Sequence, residues 1–216
     1  MRHVDLKFLA AAVFGLLASP AFAQFGFFGA QDIGPSRLVI HADVQKELKL
    51  SEDQVEKFTK ATQEMRDKIR EAIQGAGGDM DKFRKALAKL QAEGDKLVAD
   101  TLKPEQLKRL KQIELQANGL RSFTRAEVQK ELKLTDKQKK DVEKIADDVK
   151  KESEGLFKDV GRDREKFQEA QKKIAALNTE GLAKVTKLLT DDQQKTWKTM
   201  IGDKFDYKPN RGLPRD

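Results

Sequence analysis

The chain is 216 residues long, 37% charged and 38% hydrophobic, with a formal net charge of +7 and no cysteine. Disulfides and a lipid-anchored amino-terminal cysteine are excluded, and so little apolar material is not expected to build a deep, enzyme-like core. Basic and acidic residues alternate along the chain, the pattern of solvated helices carrying i,i+4 pairs, so no nucleic-acid partner is expected.

Residues 1–23 read as a secretory signal peptide. Arg2 and Lys7 give a basic start, Phe8 to Ala18 is apolar, and Ala21-Phe22-Ala23 supplies small residues for cleavage between Ala23 and Gln24. The apolar run is too short to span a bilayer comfortably, and no later segment is as hydrophobic. The mature chain is therefore expected to have no transmembrane segment and to be secreted or, in a Gram-negative envelope, periplasmic. Residues 24–41, with Phe25, Phe27 and Phe28 among glycines, read as a flexible leader.

The first helical repeat is assigned to residues 42–119. After a short helix near 42–49, a long helix from Ser51 to about Gln74 places Val55, Phe58, Ala61, Met65, Ile69 and Ile73 on one stripe. Gly75, Gly77 and Gly78 end it. The next helix runs from about Asp79 to Thr101, with Phe83, Leu87, Leu90, Leu97 and Val98 inward. The last runs from Pro104 to about Ala117, with Leu107, Leu110, Ile113 and Leu115 apolar, and stops at Asn118-Gly119.

The second repeat, 120–205, has the same order. A short helix covers about 124–132, and a long one starts at Thr135 with Val142, Ile145, Val149, Leu156 and Phe157 as its apolar positions. Gly161 marks the turn. The next helix carries Phe167, Ile174, Leu177, Leu182, Val185 and Leu188, and the closing helix carries Trp197, Met200 and Ile201. Residues 206–216, with Pro209, Gly212 and Pro214, read as a disordered tail. No stretch alternates as a strand does. The predicted fold is all-α: two tandem repeats of long amphipathic helices joined by short turns.

The repetition is literal in places. Ala42-Asp43-Val44-Gln45-Lys46-Glu47-Leu48-Lys49 matches Ala126-Glu127-Val128-Gln129-Lys130-Glu131-Leu132-Lys133 at an offset of 84 residues. Leu50-Ser51-Glu52-Asp53-Gln54 then matches Leu134-Thr135-Asp136-Lys137-Gln138. A second motif copy closes each repeat, Leu102-Lys103-Pro104-Glu105-Gln106 and Leu189-Thr190-Asp191-Asp192-Gln193, at an offset of 87. Phe83 thereby pairs with Phe167, and Leu110 with Trp197.

The motif has a local meaning. Ser51, Thr135 and Thr190 are N-cap residues whose hydroxyls accept from free backbone N–H groups, and the Gln three positions on reaches back to the cap's own N–H, a capping box. Lys103 stands at the remaining cap site, where Pro104 falls at N1 without loss. Leu50 and Leu102, at N′, have Val55 and Leu107 available as staple partners. All four sites are read as helix starts that touch no ligand.

Catalytic and metal chemistry finds no residues to support it. His41 is the one histidine left once the signal peptide is removed, and it is read as a surface or capping residue. Gly75-Ala76-Gly77-Gly78 lacks the Lys-Ser/Thr ending of a phosphate loop. Asp79-Met80-Asp81 opens like a calcium loop but lacks its later ligands and turn glycine. No enzyme activity, cofactor or metal is expected.

The four Leu-[Ser/Thr/Lys]-x-x-Gln helix starts, on an exported, cysteine-free, charged helical sequence, resemble the LTXXQ-motif proteins of the periplasm, the Spy/CpxP group. The matching positions are Leu50, Gln54, Leu102, Gln106, Leu134, Gln138, Leu189 and Gln193, over about 42–201. The resemblance implies an all-helical cradle formed by an antiparallel dimer, ATP-independent chaperone activity and, in some members, control of an envelope-stress sensor kinase. This chain has two motif pairs where family members usually have one, so one polypeptide supplying both halves as a pseudo-dimer and an elongated array that pairs as a homodimer are both open. The expected partners are unfolded client proteins or an envelope protein. The alternative is a structural or regulatory envelope module that binds one defined protein and has no chaperone activity.

Overall fold

A computed structural model describes residues 33–157, 160 and 163–205. The expected signal segment with Ala23 and Gln24, the turn at Gly161 and the tail 206–216 lie outside the described residues. The protein is all-α. Its helices are α1 (Pro35–Leu38), α2 (Ala42–Glu47), α3 (Glu52–Ala76), α4 (Met80–Thr101), α5 (Pro104–Asn118), a 3-10 helix (Gly119–Thr124), α6 (Ala126–Glu131), α7 (Asp136–Phe157), α8 (Arg164–Leu188) and α9 (Asp191–Ile201). Among the described residues, no helix is long and apolar enough to cross a membrane.

Two compact units divide the chain, one of residues 33–114 and one of residues 115–205. The division falls inside α5 and not at the expected boundary after 119, because Leu115 is buried in the second unit's core.

In the first unit, α3 and α4 pair as a helical hairpin, with α1 packed on α4. Ser51 caps α3, and Gly77 ends it in the left-handed conformation at φ 55°, which glycine adopts without a Cβ penalty. Asp79 caps α4 by accepting from the backbone N–H groups of Asp81 and Lys82. The carboxylate that resembles the start of a calcium loop is thus used to begin a helix. The reading of residues 24–41 as a flexible leader is corrected at its end. Pro35 starts a helical turn, and Leu38 and Val39 are fully buried.

In the second unit α7 and α8 form the corresponding hairpin, both packing on the 3-10 helix. Asp163 caps α8 through the N–H groups of Glu165 and Lys166. The core gathers Phe123, Val128, Val142, Val185 and Trp197 with their neighbours, and the Phe123 and Trp197 rings lie 4.3 Å apart at 43°. Trp197 is buried as expected, as is its counterpart Leu110.

Burial is uneven along both hairpins. The apolar residues of the motif end are buried, Phe58, Val98 and Leu102 in one unit and Val142, Val185 and Leu189 in the other. Toward the far end the stripes surface: Ile73 is 56% exposed, Met80 57%, Phe157 38% and Phe167 40%. Ile73, Phe157 and Phe167 thus keep the apolar spacing of their helices without being buried. Two helices alone cannot enclose an apolar stripe, and only the motif end has further helices packed around it.

Each hairpin contains a glycine at a close approach. A Cβ on Gly94 would stand 2.9 Å from the Ser36 Cβ, and one on Gly181 would stand 2.7 Å from Leu120 Cδ2 and 3.0 Å from Val149 Cγ2. Ser36 and Leu120 belong to the segments that cross over α4 and α8. By contrast, a Cβ on Gly155, inside α7, would meet nothing within 4 Å. Gly155→Ala is expected to stabilise the protein by about 0.5–1 kcal/mol, the helix-propensity gain. Gly94→Ala is expected to destabilise it by about 1–3 kcal/mol, because the clash is with a Cβ close to backbone and not with a mobile side-chain end. Urea unfolding of the two variants tests this through the opposite signs of their midpoint shifts.

Candidate functional site: the paired glutamine motifs

Each of the four motifs begins a helix, and each glutamine makes the local bond its spacing predicts. Its Oε1 accepts from the backbone N–H of the cap residue: Ser51 to Gln54 at 3.0 Å, Lys103 to Gln106 at 2.9 Å, Thr135 to Gln138 at 3.0 Å and Thr190 to Gln193 at 2.9 Å. Where the cap carries a hydroxyl, the box closes. Ser51, Thr135 and Thr190 accept from the N–H of Gln54, Gln138 and Gln193 at 3.2–3.3 Å. Lys103 has no hydroxyl to offer, and Gln106 provides its half of the arrangement alone.

The structure adds a second role that the local reading does not contain. The glutamines meet in pairs. Gln54 Nε2 donates to Gln106 Oε1 at 3.0 Å, and Gln106 Nε2 donates to Gln54 Oε1 at 3.2 Å. In the second unit Gln138 and Gln193 exchange the same two bonds at 2.7 and 3.1 Å. The remaining N–H of each amide goes to a carbonyl at the end of another helix. Gln54 donates to Thr101 O at 3.0 Å and Gln106 to Leu48 O at 3.1 Å; Gln138 donates to Leu188 O at 2.8 Å and Gln193 to Lys133 O at 3.4 Å. A carboxamide has two donors and two acceptor lone pairs, and all of them are used.

Four helix ends therefore meet at each amide pair. In the first unit these are the N-termini of α3 and α5 and the C-termini of α2 and α4. In the second they are the N-termini of α7 and α9 and the C-termini of α6 and α8. Orphan N–H groups and orphan carbonyls are satisfied by the same two side chains, and helix ends of opposite partial charge lie together.

The motif leucines belong to the same construction. Leu102, Leu134 and Leu189 are buried and Leu50 is half-buried. Lys49 and Lys133 end α2 and α6 in the left-handed region at φ 49° and 50°. Leu50 N–H then donates to Gln45 O at 3.0 Å, and Leu134 N–H to Gln129 O at 2.9 Å, which closes a Schellman turn. The strained lysine conformation turns the chain from each short helix directly into the motif.

Further glutamines, passed over in the sequence, tie down the flanking segments. Gln45 donates to Val39 O at 2.8 Å and Gln129 to Phe123 O at 3.0 Å. Gln116 is buried; it donates to Ile201 O and Asp203 O and accepts from Phe205 N–H, so it holds the chain leaving α9. The repetition of Gln45 as Gln129 was the available signal. For Gln116 there was none.

The site is a hydrogen-bonded clasp of neutral amides. It presents no nucleophile and no general acid or base. Among the described residues no group of His, Asp or Glu is arranged to hold a metal ion. His41 stands at the N-cap position of α2 but makes no side-chain cap bond. It is half-buried, and burial first and the Arg37 charge second push its pKa below the usual 6.5, with Asp43 opposing.

Two outcomes follow. Gln106→Met removes two donors and an acceptor at a buried position and leaves helix-end groups unpaired, which is expected to cost about 1–3 kcal/mol per orphaned buried group. Ser51→Ala, which removes one exposed cap bond, is expected to cost about 1 kcal/mol. Chemical denaturation of both variants checks the order, and a Gln54/Gln106 double-mutant cycle reads the coupling, expected at about 0.5–3 kcal/mol. For His41, a depressed folded-state pKa means that the unfolded chain binds the proton more readily. Stability is then fully present above pH 6.5 and declines as pH falls through the folded pKa. Melting temperature measured across this window should show a step that His41→Gln removes.

No family model matches this chain, and no curated protein or solved structure matches it either.

Proposed function

We propose that this protein is an exported, ATP-independent chaperone or envelope-stress adaptor of the Spy/CpxP type, binding unfolded or partner proteins in the periplasm. The observation that carries the reading is large apolar side chains exposed at the hairpin ends of an otherwise charged helical protein. Ile73 and Met80 lie at the ends of α3 and α4 that adjoin Gly77, and Phe157 and Phe167 lie where α7 and α8 are joined. The two phenylalanine rings are 5.9 Å apart and form a small shared patch. The fourfold motif and the signal-peptide pattern support the family and the compartment.

The physics of such a surface suits loose holding. Scattered charges of both signs attract a client at range, and exposed apolar groups then make short contacts without nucleotide-driven steps. Narrow stripes bury little, so release needs no large rearrangement.

Suppression of aggregation of several unrelated clients, followed by light scattering without ATP, tests the reading. The protein is expected to suppress more than one client. The Phe157→Ser/Phe167→Ser double variant is expected to need a several-fold higher molar ratio for the same effect while keeping its helical circular dichroism. Activity toward none of the clients would leave the module that binds one defined protein as the better account.

A further inference from the structure

The two hairpins differ in one place where their sequences correspond. In the first unit Lys68 on α3 and Glu93 on α4 form an ion pair at 3.1 Å across the hairpin. The matching positions in the second unit are Glu152 on α7 and Glu180 on α8, two carboxylates. Lys57 of α3 likewise becomes Asp141 of α7. Like charges do not bridge the two helices, and a groove of about 440 Å³ lies between α7 and α8 there.

The groove has an apolar floor and an acidic rim. Ile145, Val149 and Leu177 contribute the floor, each only half-buried. Gly181 keeps the floor low at the point where the Val149 and Leu120 side chains approach it. Four carboxylates, those of Asp141, Asp148, Glu152 and Glu180, share the rim with two ammonium groups, Lys144 and Lys184. Lys184 is engaged by Glu180 at 2.9 Å. Asp141, Asp148 and Glu152 therefore leave the rim with an excess of negative charge.

We infer that this groove is a docking site for basic amphipathic polypeptide segments, which set apolar side chains on the floor and Lys or Arg against the rim. Charge complementarity selects the occupant. An acidic segment meets like charge, and a purely apolar one leaves the carboxylates without partners. The matched face of the first unit, bridged by Lys68 and Glu93, has no such excess. The inference deepens the proposed function by naming the chemical class of segment held, and it rests on the reading of this chain as a polypeptide binder.

The test uses the full protein and two fluorescein-labelled peptides with Leu at helical i, i+3, i+4 spacing, one with Lys and one with Glu at the remaining positions. Fluorescence anisotropy is expected to show saturable binding of the Leu/Lys peptide that weakens as salt is raised, with binding of the Leu/Glu peptide at least about tenfold weaker. Glu152→Lys, which recreates the Lys–Glu bridge of the first unit, is expected to weaken Leu/Lys binding about tenfold or more. The Asp148→Asn/Glu152→Gln variant, which adds no new charge, is expected to act in the same direction.

Equal binding of the two peptides, or Leu/Lys binding unchanged in both variants, overturns the inference. So does a concentration-dependent self-association abolished by Glu152→Lys, which assigns the groove to a second copy of the chain. Aggregation suppression measured on the same variants separates this from the broader reading. Suppression that persists with no groove-dependent peptide binding removes the groove alone. Groove-dependent binding without suppression removes the chaperone reading alone.

Discussion

Two carboxamides facing each other hold each unit at the point where four helix ends converge. Helix termini are the costliest places to bring together, since each carries backbone groups that its own helix cannot satisfy. The Gln54–Gln106 and Gln138–Gln193 pairs answer that need with neutral amides. Each amide serves its own cap, its partner and the carbonyl of a third helix end. Gln106 is buried beside Leu102, whereas Gln54, Gln138 and Gln193 are half-buried, so the loss of Gln106 carries the higher cost.

From this knot the rest of each unit follows as a gradient. Near the clasp, short helices and the closing helix pack around the hairpin, and the apolar residues there are buried. Far from it, two helices stand alone and their stripes surface at Ile73, Met80, Phe157 and Phe167. A unit built this way has one well-packed end and one end with apolar groups within reach of a partner. This is the physical basis on which a holding function is proposed.

The two units use the same plan with different surfaces. Gly94 and Gly181 permit the same crossing of a segment over the second hairpin helix. The Lys68–Glu93 bridge stands in one, and the Glu152 and Glu180 carboxylates stand at the matching places in the other. The positions that carry the clasp are alike in the two units, and the hairpin faces differ in charge.

Much of the fold was legible in the sequence because its signals are local. A cap hydroxyl and a glutamine three positions later act within one helical turn, so Ser51, Thr135 and Thr190 announce helix starts wherever the chain goes. Apolar spacing likewise names the helices and their inward stripe. It does not say how deep that stripe lies, because depth depends on which other helices arrive to cover it, and so the exposure of Ile73, Phe157 and Phe167 could not be read from it. The pairing of the glutamines was equally out of reach. Gln54 and Gln106 are 52 residues apart, Gln138 and Gln193 are 55 apart, and nothing within one turn of either specifies the other. Only the packing of the helices brings their amides within hydrogen-bonding distance, and only there does a capping residue become the fastening of the unit.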